Sequence, residues 1–170
     1  MVLAGIVLLC FAALGLQATL VPHVSIAGIR PDLALVVTFL VGYARGATAG
    51  TLAGFFVGLA QDLTNPAFLG LNALTKSLLG YAAGSLRDHL NAANAAAQAA
   101  VLFAAVLAHD VVYLTIYTQL ALSELLLALW TRSLPTALYT ALVGVWAFAA
   151  LGSLSRRGVR TVARSSLARR

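Results

Sequence analysis

GATAGTLAGFFVGLAQD, residues 46–62, places Gly46, Gly50, Gly54, Gly58 and Asp62 four residues apart in a run that is otherwise almost wholly apolar. Residues four apart share one face of an α-helix, so the sequence predicts a helix with a glycine stripe ending in a carboxylate. Such small-xxx-small rows let two helix backbones approach closely in a bilayer, and because four residues overshoot one turn, the row winds slowly and favours a right-handed crossing. A second row follows in the next apolar run: Asn72, Lys76, Gly80, Gly84 and Asp88. If the two helices are antiparallel neighbours, Gly80 and Gly84 face the glycines of the first row, and Asp62 comes level with Asn72 and Lys76. The expectation is a tightly packed hairpin with the closest backbone contact in the molecule, in preference to a substrate passage.

The rest of the chain has the same character. Of 170 residues, 61% are apolar and 9% are charged, where an ordinary soluble domain carries roughly a quarter charged residues. A hydrocarbon core about 30 Å thick takes about 20 helical residues to cross, so this length accommodates several spans and no soluble domain. Backbone polar groups find no water in lipid, and the apolar runs are helix-length without strand alternation, so the spans are helices. The fold class is therefore an all-α polytopic membrane protein. The lone Cys10 lies in the first apolar run and excludes disulfide frameworks and cysteine-rich metal sites. That run, residues 2–21, lacks a preceding basic residue and exceeds a typical signal h-region, so it reads as a retained span.

Six crossings are expected. After the first, Pro22, His23, Ser25, Gly28 and Pro31 mark a loop, and Asp32 beside Pro31 reads as a helix start. The second crossing is short, residues 33–44, with a re-entrant segment as its alternative; a turn at Arg45-Gly46 separates it from the third, which Thr64, Asn65 and Pro66 end. The fourth covers residues 70–86, the turn 91–94 follows, and the fifth covers residues 95–119. Residues 121–130 are leucine-rich but too short to span, and Ser133 with Pro135 fits the N-cap and first turn of a sixth helix ending near Leu154. Residues 1–154 then form a six-helix transmembrane domain, and residues 155–170 a basic tail. Six of the eleven Lys and Arg lie in that tail: Arg156, Arg157, Arg160, Arg164, Arg169 and Arg170. With the tail and N-terminus cytoplasmic, Arg45 and Arg87 also lie inside and only Arg30 and Arg132 outside, as the positive-inside rule requires. The net charge of +6 thus reports orientation and anionic lipid at the tail, not nucleic acid.

Ionisable residues within spans are functional hypotheses by default. Asp62, Lys76 and Asp110 fall at one depth in the outer part of the bilayer by residue count, so Lys76 is expected to pair with Asp62 or Asp110. The simplest role for the three is an ion-paired network that fixes helix register, ahead of ion or proton movement. His109 reads as an interior hydrogen-bonding residue, since no second His or Cys lies at ligand spacing, and no metal or cofactor is expected. Ser77, Ser85 and Thr75 lack His and Asp partners at a convincing depth, and no HExxH, GxSxG or P-loop pattern occurs, so the chain reads as no enzyme. At helical spacing Leu122, Leu125, Leu126 and Leu129 form one apolar face, with Trp130 at headgroup level; this is the candidate partner face, lipid contact being the alternative.

The segment Gly54-Phe-Phe-Val-Gly58-Leu-Ala-Gln-Asp62, with Leu69-Gly70-Leu-Asn72-Ala-Leu74, Gly80-Tyr81-Ala-Ala-Gly84 and the upstream Pro31-Asp32-Leu33, resembles the MreD family of bacterial rod-shape-determining membrane proteins. Lys76 departs from the family pattern, so its role does not carry over. The resemblance implies a multi-pass, non-enzymatic subunit of the cell-elongation machinery in the bacterial inner membrane. It would bind MreC and support peptidoglycan synthesis with MreB, RodA and its penicillin-binding protein. It also implies a six-helix fold similar to the substrate-binding subunits of energy-coupling-factor transporters, and hence a rival function as a vitamin-type binding component. An intramembrane enzyme ranks third.

Overall fold

The computed structural model describes residues 2–26, 28–64, 69–89, 94–118 and 122–167, with side chains at residues 2–4, 6 and 117–118 and beyond Ala150 outside that description. The expected turn residues Asn65, Pro66 and 91–93, the helix end at Gln119, and Ala121 also lie outside it. The named elements are all helical: α1 Val2–Thr19, α2 Leu33–Arg45, α3 Ala47–Asp62, α4 Leu71–Leu86, α5 Ala95–Thr118, α6 Leu122–Ala128, a π-helical turn Leu129–Ser133, and α7 Leu134–Leu167, with one isolated bridge, Ile26 to Ile29, in the loop before α2. Two stretches, Ala95–Ile116 and Leu122–Ala150, are by themselves long and apolar enough to cross a membrane.

The shortest of the long helices, α2, is the hub. Asp32 caps it from extended backbone, its Oδ1 accepting from the Leu35 N–H at 2.9 Å, which satisfies one of the first-turn amides that a helix leaves open. Eight of its thirteen residues are buried. One face joins Leu35, Val36, Phe39 and Leu40 to Leu102 and Val106 of α5 and Ala137 of α7; the other joins Ala34 and Val41 to Cys10 of α1 and to Ala53 and Val57 of α3. At about 1.5 Å per residue α2 is about 20 Å long, and neighbours cover it on every side.

Gly46 ends α2 with φ +92, its N–H returning to the Gly42 carbonyl at 2.7 Å. The turn thus falls at Arg45-Gly46 as expected, and α3 begins one residue later than the expected start at Gly46. A positive φ is open to glycine and strained for other residues. The remaining glycines of the stripe lie against α4. A Cβ on Gly50 would overlap the Gly80 carbonyl, one on Gly54 the Lys76 carbonyl, and one on Gly58 the Asn72 carbonyl; reciprocally, Gly80 abuts Gly50, and Gly84 abuts Ala47. The α3 and α4 backbones are thus in direct contact along their length, and Gly42 of α2 leans on Gly80 from a third side.

The expected break at Ser133–Pro135 is absent. Ala128 and Leu134 both have right-handed helical dihedrals, and the Leu134 N–H bonds the Leu129 carbonyl, so helix continues from residue 122 to 167. Pro135 lacks an N–H and its ring presses on the preceding turn; the wider π turn just before it absorbs that clash, a common local adjustment at proline in membrane helices. The leucine-rich stretch is therefore an extension of α7 and not a separate helix.

Candidate functional site

Polar side chains converge where α2 and α4 begin and α3 ends. Lys76, 1% exposed, carries three N–H donors and meets three acceptors: Asp32 Oδ2 at 3.0 Å, His109 Nε2 at 3.1 Å and, at the limit of a hydrogen bond, Asn72 Oδ1 at 3.4 Å. Its ion-pair partner is thus Asp32, where the sequence pointed to Asp62 or Asp110. Asp32 is held on three sides. Its backbone N–H donates to Thr140 Oγ1 of α7 at 3.1 Å, Oδ1 caps α2, and Oδ2 takes Lys76. Gln17 of α1 fastens the same corner, donating to the Pro31 carbonyl at 3.3 Å and accepting from the Leu33 N–H at 2.8 Å.

Asp62 has a different role. Gly70 precedes α4 in a left-handed conformation and offers no side-chain cap, so the carboxylate at the end of α3 reaches across. Oδ2 accepts from the Gly70 and Ala73 N–H groups at 3.0 Å each, and Oδ1 from the Asn72 N–H at 3.1 Å and Asn72 Nδ2 at 2.9 Å. Four donors on two oxygens, at the positive end of a helix, replace the hydration that Asp62 loses at 2% exposure. The same contact locks the register of the α3–α4 hairpin.

Hydrogen-bond bookkeeping assigns the remaining protons. His109 Nδ1 lies 3.2 Å from Asp110 Oδ1; a carboxylate only accepts, so Nδ1 carries the hydrogen. Nε2 is then free to accept from Lys76, which also keeps a second positive charge from sitting 3.1 Å from the ammonium. Asn72 presents Nδ2 to Asp62 and therefore Oδ1 to Lys76, whose ammonium donates to both Oδ1 and His109 Nε2, two acceptors 3.2 Å apart. Tyr113 stacks on the His109 ring with centroids 5.8 Å apart. The structure thus joins Asp62, Lys76 and Asp110 in one chain of contacts, through Asn72 and His109. Asp32, which the sequence marked only as a helix start, completes it. The signal that could have found it is that an N-cap carboxylate opening a helix too short to span alone must itself lie at span depth.

The network's donors and acceptors bond one another: Lys76, Asp62 and His109 are buried, and Asp32 and Asp110 are 20% and 24% exposed. The 500 Å³ cavity between α1 and α3 is lined by other residues, nearly all apolar. Of the partner-face residues, Leu122, Leu126 and Trp130 are exposed in a row at four-residue spacing, while Leu125 and Leu129 are half-buried.

No curated protein and no solved structure matches the chain, so the expected likeness to energy-coupling-factor subunits gains no support there. The family model described as rod shape-determining protein MreD matches residues 1–151. That match covers every helix from α1 to α5, the hub and the whole polar network, and the chain belongs to the MreD family, whose members are non-enzymatic membrane proteins of rod-shape determination.

Proposed function

We propose that the protein is a scaffold subunit of the bacterial cell-elongation machinery. It crosses the inner membrane six times with both termini cytoplasmic, and it holds MreC on its outer side in support of peptidoglycan synthesis. MreB, RodA and its penicillin-binding protein act in the same assembly. The observation that carries this reading is how the polar groups are spent. A small-molecule carrier needs polar groups converging on a pocket, whereas here they bind one another and tie together α1, α2, α3, α4, α5 and α7. Apolar side chains are exposed along the whole bundle, and on the extension of α7 they project beyond it, where α6 buries no residue. Rigid interior bonding beneath an apolar outer projection suits a subunit that presents a fixed face to a membrane partner better than one that opens around a ligand. The vitamin-type binding component is accordingly the weaker reading.

Photo-crosslinkers placed at Leu122, Leu126 and Trp130 in intact cells test the assignment. The expected result is capture of MreC from these three positions and not from Leu142 on the body of α7. Lipid adducts alone at all three, with MreC captured elsewhere on the chain, would remove the face from the proposal.

A further inference from the structure

The groove between α1 and α3 has a shape and a charge that the scaffold reading does not use. It arises because α1 is seated on α2: Cys10 packs with Ala34 and Val41, and Gln17 is bonded to the start of α2. The facing side of α3 is built from small residues, so a gap is left between the two helices. Cys10, Ala49 and Ala53 form its floor, and Phe11, Leu52 and Phe56 its walls. Arg45 and Thr48 close one end. From Thr48 to Ala60 the groove follows α3 for about 18 Å at 1.5 Å per residue, longer than one leaflet of about 15 Å, half the hydrocarbon core.

Its volume of about 500 Å³ decides the class of occupant. A partner helix about 10 Å across and equally long would need roughly three times that space. A flexible hydrocarbon chain fits. The single cation selects the headgroup. Arg45 is exposed and pairs with none of the five acids: Asp32 holds Lys76, Asp88 pairs with Arg87, Asp110 with His109, Asp62 caps α4, and Glu124 lies at the far end of the bundle on α6. A guanidinium without a carboxylate, at the mouth of an apolar groove and at the level of the α2–α3 turn, is complementary to a lipid phosphate. We propose that this groove holds one acyl chain of an anionic phospholipid whose phosphate pairs with Arg45. The site is separate from the basic tail. In the orientation given above, the lipid comes from the inner leaflet.

Native mass spectrometry of the purified full chain, titrated with phosphatidylglycerol or with phosphatidylcholine of the same acyl composition, tests this. The wild type should retain one phosphatidylglycerol about fivefold more tightly than phosphatidylcholine, the preference one surface cation supplies. Arg45→Gln should abolish that preference, Arg30→Gln at the other end should keep it, and Ala49→Leu, which fills the floor, should weaken retention of both lipids. Cys10, the only cysteine in the chain, gives an independent readout: phosphatidylglycerol should slow maleimide labelling of Cys10 in the wild type and not in Arg45→Gln. Equal retention of the two lipids by the wild type would overturn the proposal, as would an unchanged preference in Arg45→Gln or an equal loss in Arg30→Gln. Unchanged retention in Ala49→Leu together with unshielded Cys10 would place the lipid outside the groove. A protein captured by a crosslinker on Cys10 in native membranes would show a different occupant.

Discussion

Lys76 is the residue on which the interior depends, because a cation inside a bilayer costs at least about 2.5 kcal/mol even on lenient insertion scales. The protein meets that cost with geometry: a carboxylate, an imidazole nitrogen and an amide oxygen take its three donors. The value of such a pair is asymmetric. Deleting both charges can be nearly neutral, whereas deleting one leaves the other buried without compensation, at about 3–5 kcal/mol. Lys76→Met should therefore destabilise the protein by about that amount, and adding Asp32→Asn should recover about 1 kcal/mol or more, because the two substitutions remove one interaction. Unfolding midpoints in mixed micelles for the two single variants and the double variant measure this directly. Strict additivity would mean that Asp32 is a cap and nothing more, with Lys76 held by His109 and Asn72 alone.

Among the elements, the α3–α4 hairpin sets the tightest constraint. Where backbone touches backbone, a new side chain cannot turn aside, so overpacking there should cost at least the usual range of about 1–3 kcal/mol. Gly54→Leu and Gly58→Leu should each fall at or beyond the top of that range. Gly15→Ala in α1, where a Cβ meets nothing within 4 Å, should be neutral or slightly stabilising, since alanine favours helix over glycine. The same micelle titration compares them, and equal effects at Gly54 and Gly15 would refute the close contact. This hairpin was legible because periodicity is a local property: four-residue spacing defines a face without knowledge of what covers it, and only the start of α3 shifts, by one residue, from Gly46 to Ala47. The Lys76 pairing was not legible. Depth counted along three helices ranked Asp62 and Asp110 as partners but could not tell that α4's own N-terminus would consume Asp62. Ser133-Pro135 misled for a related reason: proline reads as a helix start in sequence, and only the π turn ahead of it makes it an interior residue.

At the scale of the molecule, the bundle has two chemically different ends, and the structure relates them without reference to a membrane. A Cβ on Gly46 would lie 3.3 Å from the Arg87 guanidinium, so the α2–α3 turn with Arg45 and the end of α4 share one end. The bond from Asp32 N–H to Thr140 Oγ1 and that from Tyr139 Oη to the Val24 carbonyl bring the loop carrying Arg30 to the opposite end, beside the first turns of α7 and the neighbouring Arg132. Because α7 runs away from that end, its basic continuation points to the side of Arg45 and Arg87. In the proposed orientation, with these basic residues on the cytoplasmic side, the polar network would lie toward the outer face. There the longer α5 and the extended α7, about 36 Å and about 44 Å over residues 95–118 and 122–150 at 1.5 Å per residue, stand beside the shorter α2, α3 and α4. In a Cys10→Ala background, Ser25→Cys and Ser123→Cys should label from outside intact spheroplasts with an impermeant maleimide, and His89→Cys only after the membrane is opened. Labelling of His89→Cys from outside, with Ser25→Cys and Ser123→Cys protected, would invert the protein and move the proposed partner face to the cytoplasm. Labelling of all three from outside would break the six-crossing arrangement itself, because residues 25 and 89 are separated by an odd number of helices, α2, α3 and α4, and must lie on opposite sides if each of them crosses.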